Sequence, residues 1–272
     1  MKQLIILMIC LTALTTQAQS YNELIEKAMD YTRKDSLHQA ERLFLQALKK
    51  DPTSARNALL FSNLGTVQRR MGKTDEAIQS YTLALNIVPY STTILNNRAA
   101  LYMERGLWDK AYVDYCNVID ILPENQEARL FRAYIYMRRR AYEEARIDYN
   151  TILGKDLKNK PARIGIALLD QKEKKYAAAA DAFNLLINDY PQDASLLKMR
   201  ANLEMEQEQW EVALIDIEQA IALDEKDTDC YLAKGDICLR LKKKKEAREA
   251  YERAIALGAS RVELADKLKQ CR

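Results

Sequence analysis

Residues 92–125 read TTILNNRAALYMERGLWDKAYVDYCNVIDILPEN, with a small residue at Ala99, a glycine at Gly106, then Ala111, Tyr115 and Pro123. The same pattern returns on either side at a fixed interval. Ala77, Ala111, Ala145, Ala179, Ala213 and Ala247 are 34 apart without a break, and Ala40 precedes them by an interval of 37. A fixed period of this length marks a stack of supersecondary units, each burying its apolar face only against its neighbours.

Aligning on these alanines gives units 21–54, 58–91, 92–125, 126–159, 160–193, 194–227 and 228–261, with Ala55-Arg56-Asn57 between the first two. The eighth slot of a unit holds Ala28, Gly65, Ala99, Ala133, Ala167, Ala201 or Gly235, and the twentieth holds the seven alanines. Small residues in both slots let two antiparallel helices approach, where anything larger would overpack the crossing. The twenty-fourth slot supplies the bulk that fills the space: Phe44, Tyr81, Tyr115, Tyr149, Phe183, Ile217 and Tyr251. Pro52, Pro89, Pro123 and Pro191 share the thirty-second slot and end the second helix. No run alternates like a strand, so the chain reads as all-α.

This pattern resembles the tetratricopeptide repeat family over residues 21–261. The resemblance implies a right-handed α-solenoid of seven helix–turn–helix repeats with a concave groove, and residues 262–272 read as a C-terminal capping helix. There are departures. Leu157, Glu225 and Ala259 stand where proline is usual, and Asp170 and Glu204 stand in the eleventh slot, often tyrosine. Arg132, Arg163 and Arg200 lie in nearby packing slots and read as ion-pair partners, Arg200 with Glu204 at i,i+4.

A helical wheel separates two stripes on each first helix: slots 4, 7, 8 and 11 face the stack, and slots 2, 5, 9, 12 and 13 form a second stripe. By resemblance to the family, the second stripe lines the groove where a ligand lies. Asn63, Asn96, Asn97, Met103, Leu130, Tyr134, Met137, Arg138, Ile164, Leu168, Asn202 and Met205 are the candidate partner-binding residues. Met103, Met137 and Met205 share one slot, and flexible thioethers beside a tyrosine suit an adaptable peptide-binding surface. The alternative is that these side chains pad neighbouring first helices. Asn63 and Asn97 recur at the rim, where an amide can donate to and accept from a peptide backbone. Asn97 also resembles the asparagine of the carboxylate clamp in chaperone-binding relatives, but Ser62, Thr66, Glu127 and Phe131 stand where the rest of that clamp belongs.

Basic residues gather at the turns inside units, at Arg69-Arg70, Arg138–Arg140, Lys172 with Lys174-Lys175, and Lys242–Lys245, forming a broken ridge. Such a ridge offers weak contact with an anionic membrane surface; solvated turns are the plainer reading. Trp108, Tyr142, Tyr176 and Trp210 recur with the same period and read as packing for those turns. The only histidine, His38, has no nucleophile or metal ligand near it in sequence. No phosphate-cradling loop, nucleophile elbow or metal-spaced cluster appears, so no catalytic residue, metal or cofactor is expected. Cys116, Cys230, Cys238 and Cys271 are too scattered for a disulfide framework and read as buried thiols, with Cys238–Cys271 the one conceivable bridge.

Lys2 followed by an apolar run from Leu4 to Leu14 and the small residues Thr16 and Ala18 reads as a signal peptide over 1–18, too short to span a membrane. With 42 Lys+Arg against 39 Asp+Glu the charge is nearly balanced, giving no reason to expect nucleic acid as a partner. The expectation is an exported, periplasmic, non-catalytic scaffold whose partner is another protein or an extended peptide. The second reading is an envelope adaptor or self-assembling module that uses its edges and the basic ridge.

Overall fold

The structure, a computed structural model, describes residues 21–272, so the expected signal peptide lies outside the described residues. Every described element is helical: α1 (21–33), α2 (Leu37–Lys50), α3 (Asn57–Arg70), α4 (Thr74–Ile87), α5 (Thr92–Glu104), α6 (Trp108–Ile121), α7 (Gln126–Arg138), α8 (Tyr142–Lys155), α9 (Lys160–Lys172), α10 (Tyr176–Asp189), α11 (Ala194–Glu206), α12 (Trp210–Leu223), α13 (Thr228–Arg240), α14 (Lys244–Ala256) and α15 (Ala265–Gln270). Odd-numbered helices are the first of each pair, even-numbered helices the second. The chain divides into two compact units, one ending at Ile135 and the other beginning at Tyr136. Within each unit a helix packs on those that flank it in sequence, which is the contact pattern of a solenoid.

The repeated small residues lie where the helices cross. All seven period-setting alanines are fully buried, as are Ala28, Ala99, Ala133, Ala167 and Ala201. Against them lie the large slot-24 side chains, each at most 5% exposed. Where glycine replaces alanine the neighbouring ring has moved into the space: a Cβ on Gly235 would sit 2.3 Å from Tyr251 Cε1. Tyr251 cannot easily retreat, because it is fully buried and its hydroxyl donates to Asp236 at 2.6 Å. Gly235→Ala is therefore expected to cost about 1–3 kcal/mol by overpacking. Urea unfolding checks this, and a wild-type midpoint would contradict it.

The turn inside each pair is built identically in all seven repeats. Gly72 and Gly106 take φ of 75° and 70°, and the equivalent residues Asp35, Arg140, Lys174, Glu208 and Lys242 take φ of 58–61°. This left-handed residue closes the first helix. The N–H that follows it donates back into the last helical turn, as in Lys73 to the Gln68 carbonyl and Lys243 to the Cys238 carbonyl. Only two turns use glycine, so five hold the left-handed conformation in an ordinary residue, at roughly 1 kcal/mol each. Nor does proline set the end of the second helix. α8, α12 and α14 lack it and stop within one residue of the position where the others stop.

First helices start at a recurring side-chain cap. Asn125, Asn159 and Asp227 accept from the backbone N–H three residues on, at 2.8, 3.0 and 3.1 Å. The irregular interval after Ala40 is absorbed by Asn57, which is 1% exposed. It accepts from the Tyr21 hydroxyl at 2.9 Å and donates to the Asp51 carbonyl at 2.7 Å, which ties the inserted residues to α1 and to the end of α2.

The strongest arginine pairs run across the hairpin rather than along one helix. Arg98 and Arg200 each reach across the hairpin to a buried aspartate on the second helix. Arg98 donates to both oxygens of Asp114 at 2.9 and 2.8 Å, and Arg200 to both oxygens of Asp216 at 2.6 Å. The remaining guanidinium nitrogen of each donates backwards to the preceding repeat, to Thr82 at 3.0 Å and Asn184 at 2.6 Å. The expected i,i+4 ion pair with Glu204 forms as well, as the longer contact at 3.9 Å from Arg200 Nε. The bidentate fork fits the aspartate better than the off-axis glutamate. Arg163 pairs with Asp189 at 2.7 Å, and Arg132 Nη1 lies 3.6 Å from Cys116 Sγ. The four cysteines among the described residues are free thiols, three of them buried, and no Cys238–Cys271 bridge is formed.

Candidate functional site: the exposed stripe of the first helices

None of the twelve candidate residues is buried. In the unit ending at Ile135, Asn63 on α3 and Asn97 on α5 are half-buried, and their carboxamides make no hydrogen bond among the described residues. Asn96 has its Oδ1 buried and unpartnered. Met103 is half-buried and packs against the core around Tyr115. Leu130 is half-buried, and Tyr134 is 46% exposed with its ring 6.0 Å from that of Trp108.

In the unit beginning at Tyr136, Met137 is half-buried and Arg138 exposed. Ile164 and Leu168 on α9 lean on the core around Phe183, and Met205 on α11 leans on the core around Ile217 and Tyr251. Two hollows open on this face. The first, about 460 Å³, is lined by Leu168, Gln171, Lys172, Met199, Asn202, Met205 and Glu206. The second, about 770 Å³, is lined by Met205, Trp210, Asp236, Leu239, Arg240, Lys242, Lys267 and Gln270. Leu168, Asn202 and Met205, candidates from the sequence, line these hollows, and Gln171, Met199, Trp210 and Arg240, not among the candidates, line them too. Gln171 occupies slot 12 of its repeat, inside the predicted stripe, so reading the wheel through to that slot would have reached it. Trp210 read as turn packing; it opens α12 and also carries Arg240 over its ring, 5.5 Å from the centroid.

Two carboxylates at the end of α9 share one arginine. Asp170 accepts from Arg146 at 2.7 Å, and Glu173 meets the same guanidinium. Glu204 is 7% exposed with Oε2 buried and unpartnered; burial, and then the nearby Asp216 charge, push its carboxyl up to about 7. No group of three metal-ligating side chains occurs among the described residues, and none of their helices is long and apolar enough to cross a membrane. Much of the basic ridge is paired: Arg69 with Glu104, Arg70 with Asp35, Lys172 with Glu206 and Lys175 with Glu173.

Tetratricopeptide repeat models match residues 60–89, 101–161, 162–193 and 198–261. A tetratricopeptide repeat protein from Parabacteroides merdae ATCC 43184 is 36% identical, with 93% of this chain and 99% of that one covered and a TM-score of 0.79. The chain belongs to the tetratricopeptide repeat family. Two more distant structures share the fold. YrrB, described as a TPR protein with an unusual peptide-binding site, is 15% identical over 70% of this chain and 97% of its own, at TM-score 0.55. PilF of Pseudomonas aeruginosa is 19% identical over 81% of this chain and 97% of its own, at TM-score 0.59. No curated protein sequence matches the chain. Tetratricopeptide repeats point to a protein–protein interaction scaffold.

Proposed function

We propose that this tetratricopeptide repeat protein is a non-catalytic scaffold that binds an extended segment of another protein on the stripe of its first helices, in the bacterial cell envelope. The observation that carries the reading is the state of that stripe. Its side chains are half-buried or exposed, and Asn63, Asn97 and Asn202 carry amides with no partner among the described residues. Unpaired amides beside apolar side chains match the alternating needs of a peptide, whose backbone donates and accepts while its side chains seek cover. The envelope setting rests on the apolar run from Leu4 to Leu14.

A photo-crosslinking side chain placed at Tyr134 is expected to capture a defined partner in the native cell. The same group at Val113, an exposed residue on the second helix α6, is not. Equal capture from both positions would remove the case for this face. Tyr134→Ala with Met137→Ala is expected to weaken capture about tenfold or more, the loss typical of a buried aromatic anchor, with the melting temperature little changed. A second reading has one observation in its favour: Val113, Ile147 and Ile215 occupy one slot of three second helices and are 55%, 62% and 54% exposed. An adaptor or self-assembling module would use that face, and light scattering of the purified chain would reveal it as concentration-dependent mass.

A further inference from the structure

We infer that the two hollows between α9 and α15 form one recognition site for an extended segment carrying an apolar side chain followed or preceded, about three residues away, by acidic ones. The inference rests on the peptide-binding reading above and narrows it to a chemistry. Met205 lines both hollows, so they adjoin across its side chain. They differ in character. The first has Leu168, Met199 and Met205 as walls, and its charges, Lys172 and Glu206, face each other at 3.6 Å. That hollow is the apolar half, and pliable thioethers let it take side chains of more than one shape.

Within it lies an unusual group. Gln171 is 5% exposed, lines the hollow, and its carboxamide has no hydrogen-bond partner among the described residues. Its polar atoms are not among the buried unpartnered ones, so the amide opens onto the hollow, where a ligand can reach it. Asn202, also unpaired, faces the same space. Two amides can together satisfy the N–H and C=O of one peptide unit.

The second hollow is the cationic half. Arg240 lies over the Trp210 ring and makes no ion pair among the described residues, nor does Lys242. Its one carboxylate, Asp236, is already taken by the Tyr251 hydroxyl and Lys267. The hollow therefore presents two cations without a carboxylate partner, one of them seated over Trp210, complementary to aspartate or glutamate. Successive helices pack about 8–10 Å apart and an extended chain advances about 3.3 Å per residue, which sets the spacing between the apolar and acidic positions.

The probe is fluorescein-labelled Ser-Leu-Ser-Ser-Glu-Glu-Ser, blocked at its C-terminus, titrated by anisotropy against the full chain at 50 and 500 mM NaCl. Binding is expected, weakened about tenfold when the peptide's glutamates become glutamine or its leucine becomes serine. Arg240→Gln with Lys242→Gln should produce a similar loss at low salt that shrinks at high salt. Gln171→Met should weaken binding about fivefold while leaving the melting temperature within about 2 °C of wild type, a loss of affinity without a loss of stability that a purely structural glutamine would not give. Glutamine peptide binding as tightly as glutamate peptide overturns the inference, as does Gln171→Met that lowers stability and leaves affinity intact. If no peptide of the set binds while crosslinking at Tyr134 still captures a partner, this inference falls and the scaffold reading stands. If that crosslinking also loses its preference for the stripe, both fall.

Discussion

Asp114→Ala is expected to destabilise the repeats around α5 and α6 by about 3–5 kcal/mol, the usual cost of removing one partner of a buried ion pair. The Asp114 side chain is 3% exposed and that of Arg98 17%, so the guanidinium left behind has little access to water. It keeps one hydrogen bond, to the Thr82 hydroxyl at 3.0 Å, and the Tyr102 ring 5.6 Å away, neither of which neutralises the charge. The equivalent change at Asp216 should be milder by about 1–2 kcal/mol, the scale of one charge-assisted hydrogen bond regained. Glu204 supplies that bond: it stands 3.9 Å from Arg200 as a reserve carboxylate, and removing Asp216 also removes a charge that holds its proton on. Chemical denaturation of the two variants tests the ranking. Equal losses would show that Glu204 does not substitute, and an Asp114→Ala loss under about 1 kcal/mol would show that water or side-chain movement rescues Arg98.

Glu204→Gln is the second large effect, and its sign reverses the usual expectation for deleting a charge near an arginine. Burial first, and then repulsion by Asp216, raise this carboxyl from 4.5 to about 7 in the folded chain. The native state therefore keeps a proton that the unfolded state releases as pH rises through that window. Stability falls across it, by at most about 3 kcal/mol and by about 2 kcal/mol once partial screening by solvent is allowed for. The penalty is absent below pH 4.5 and complete above about pH 7. Glutamine copies the protonated shape and cannot ionise. The variant should therefore match the wild type near pH 4.5 and exceed it by about 2 kcal/mol at about pH 8. Thermal unfolding at the two pH values checks this. A variant less stable than wild type at the higher pH would mean that the Arg200–Glu204 attraction outweighs the cost of burial.

These two effects mark where linear reading of the chain stops. The fixed period, the small-residue slots and the large slot-24 partners are all legible, because each is a local steric demand repeated seven times. A helix crossing admits nothing bigger than Ala99 or Gly235, and the gap beside it must be filled by something the size of Tyr115. The stripe holding Leu168, Asn202 and Met205 is legible for the same reason, since helical periodicity alone sorts a face. The buried aspartate partners of Arg98 and Arg200 are not, although the longer Arg200–Glu204 pair is. Asp114 and Asp216 lie on the opposite helix of each hairpin, and an i,i+4 rule looks only along one helix, whereas a planar fork takes whichever carboxylate the hairpin brings edge-on. The left-handed turns at Arg140, Lys174 and Lys242 are hidden too, because the conformation is imposed by two helices closing on one another rather than preferred by the residue. Gln171 falls within the predicted stripe, but nothing in its spacing shows that it is buried and unpaired. That outcome depends on what Met199, Asn202 and their neighbours leave open around it, and only side chains from separate repeats, placed together in space, settle it.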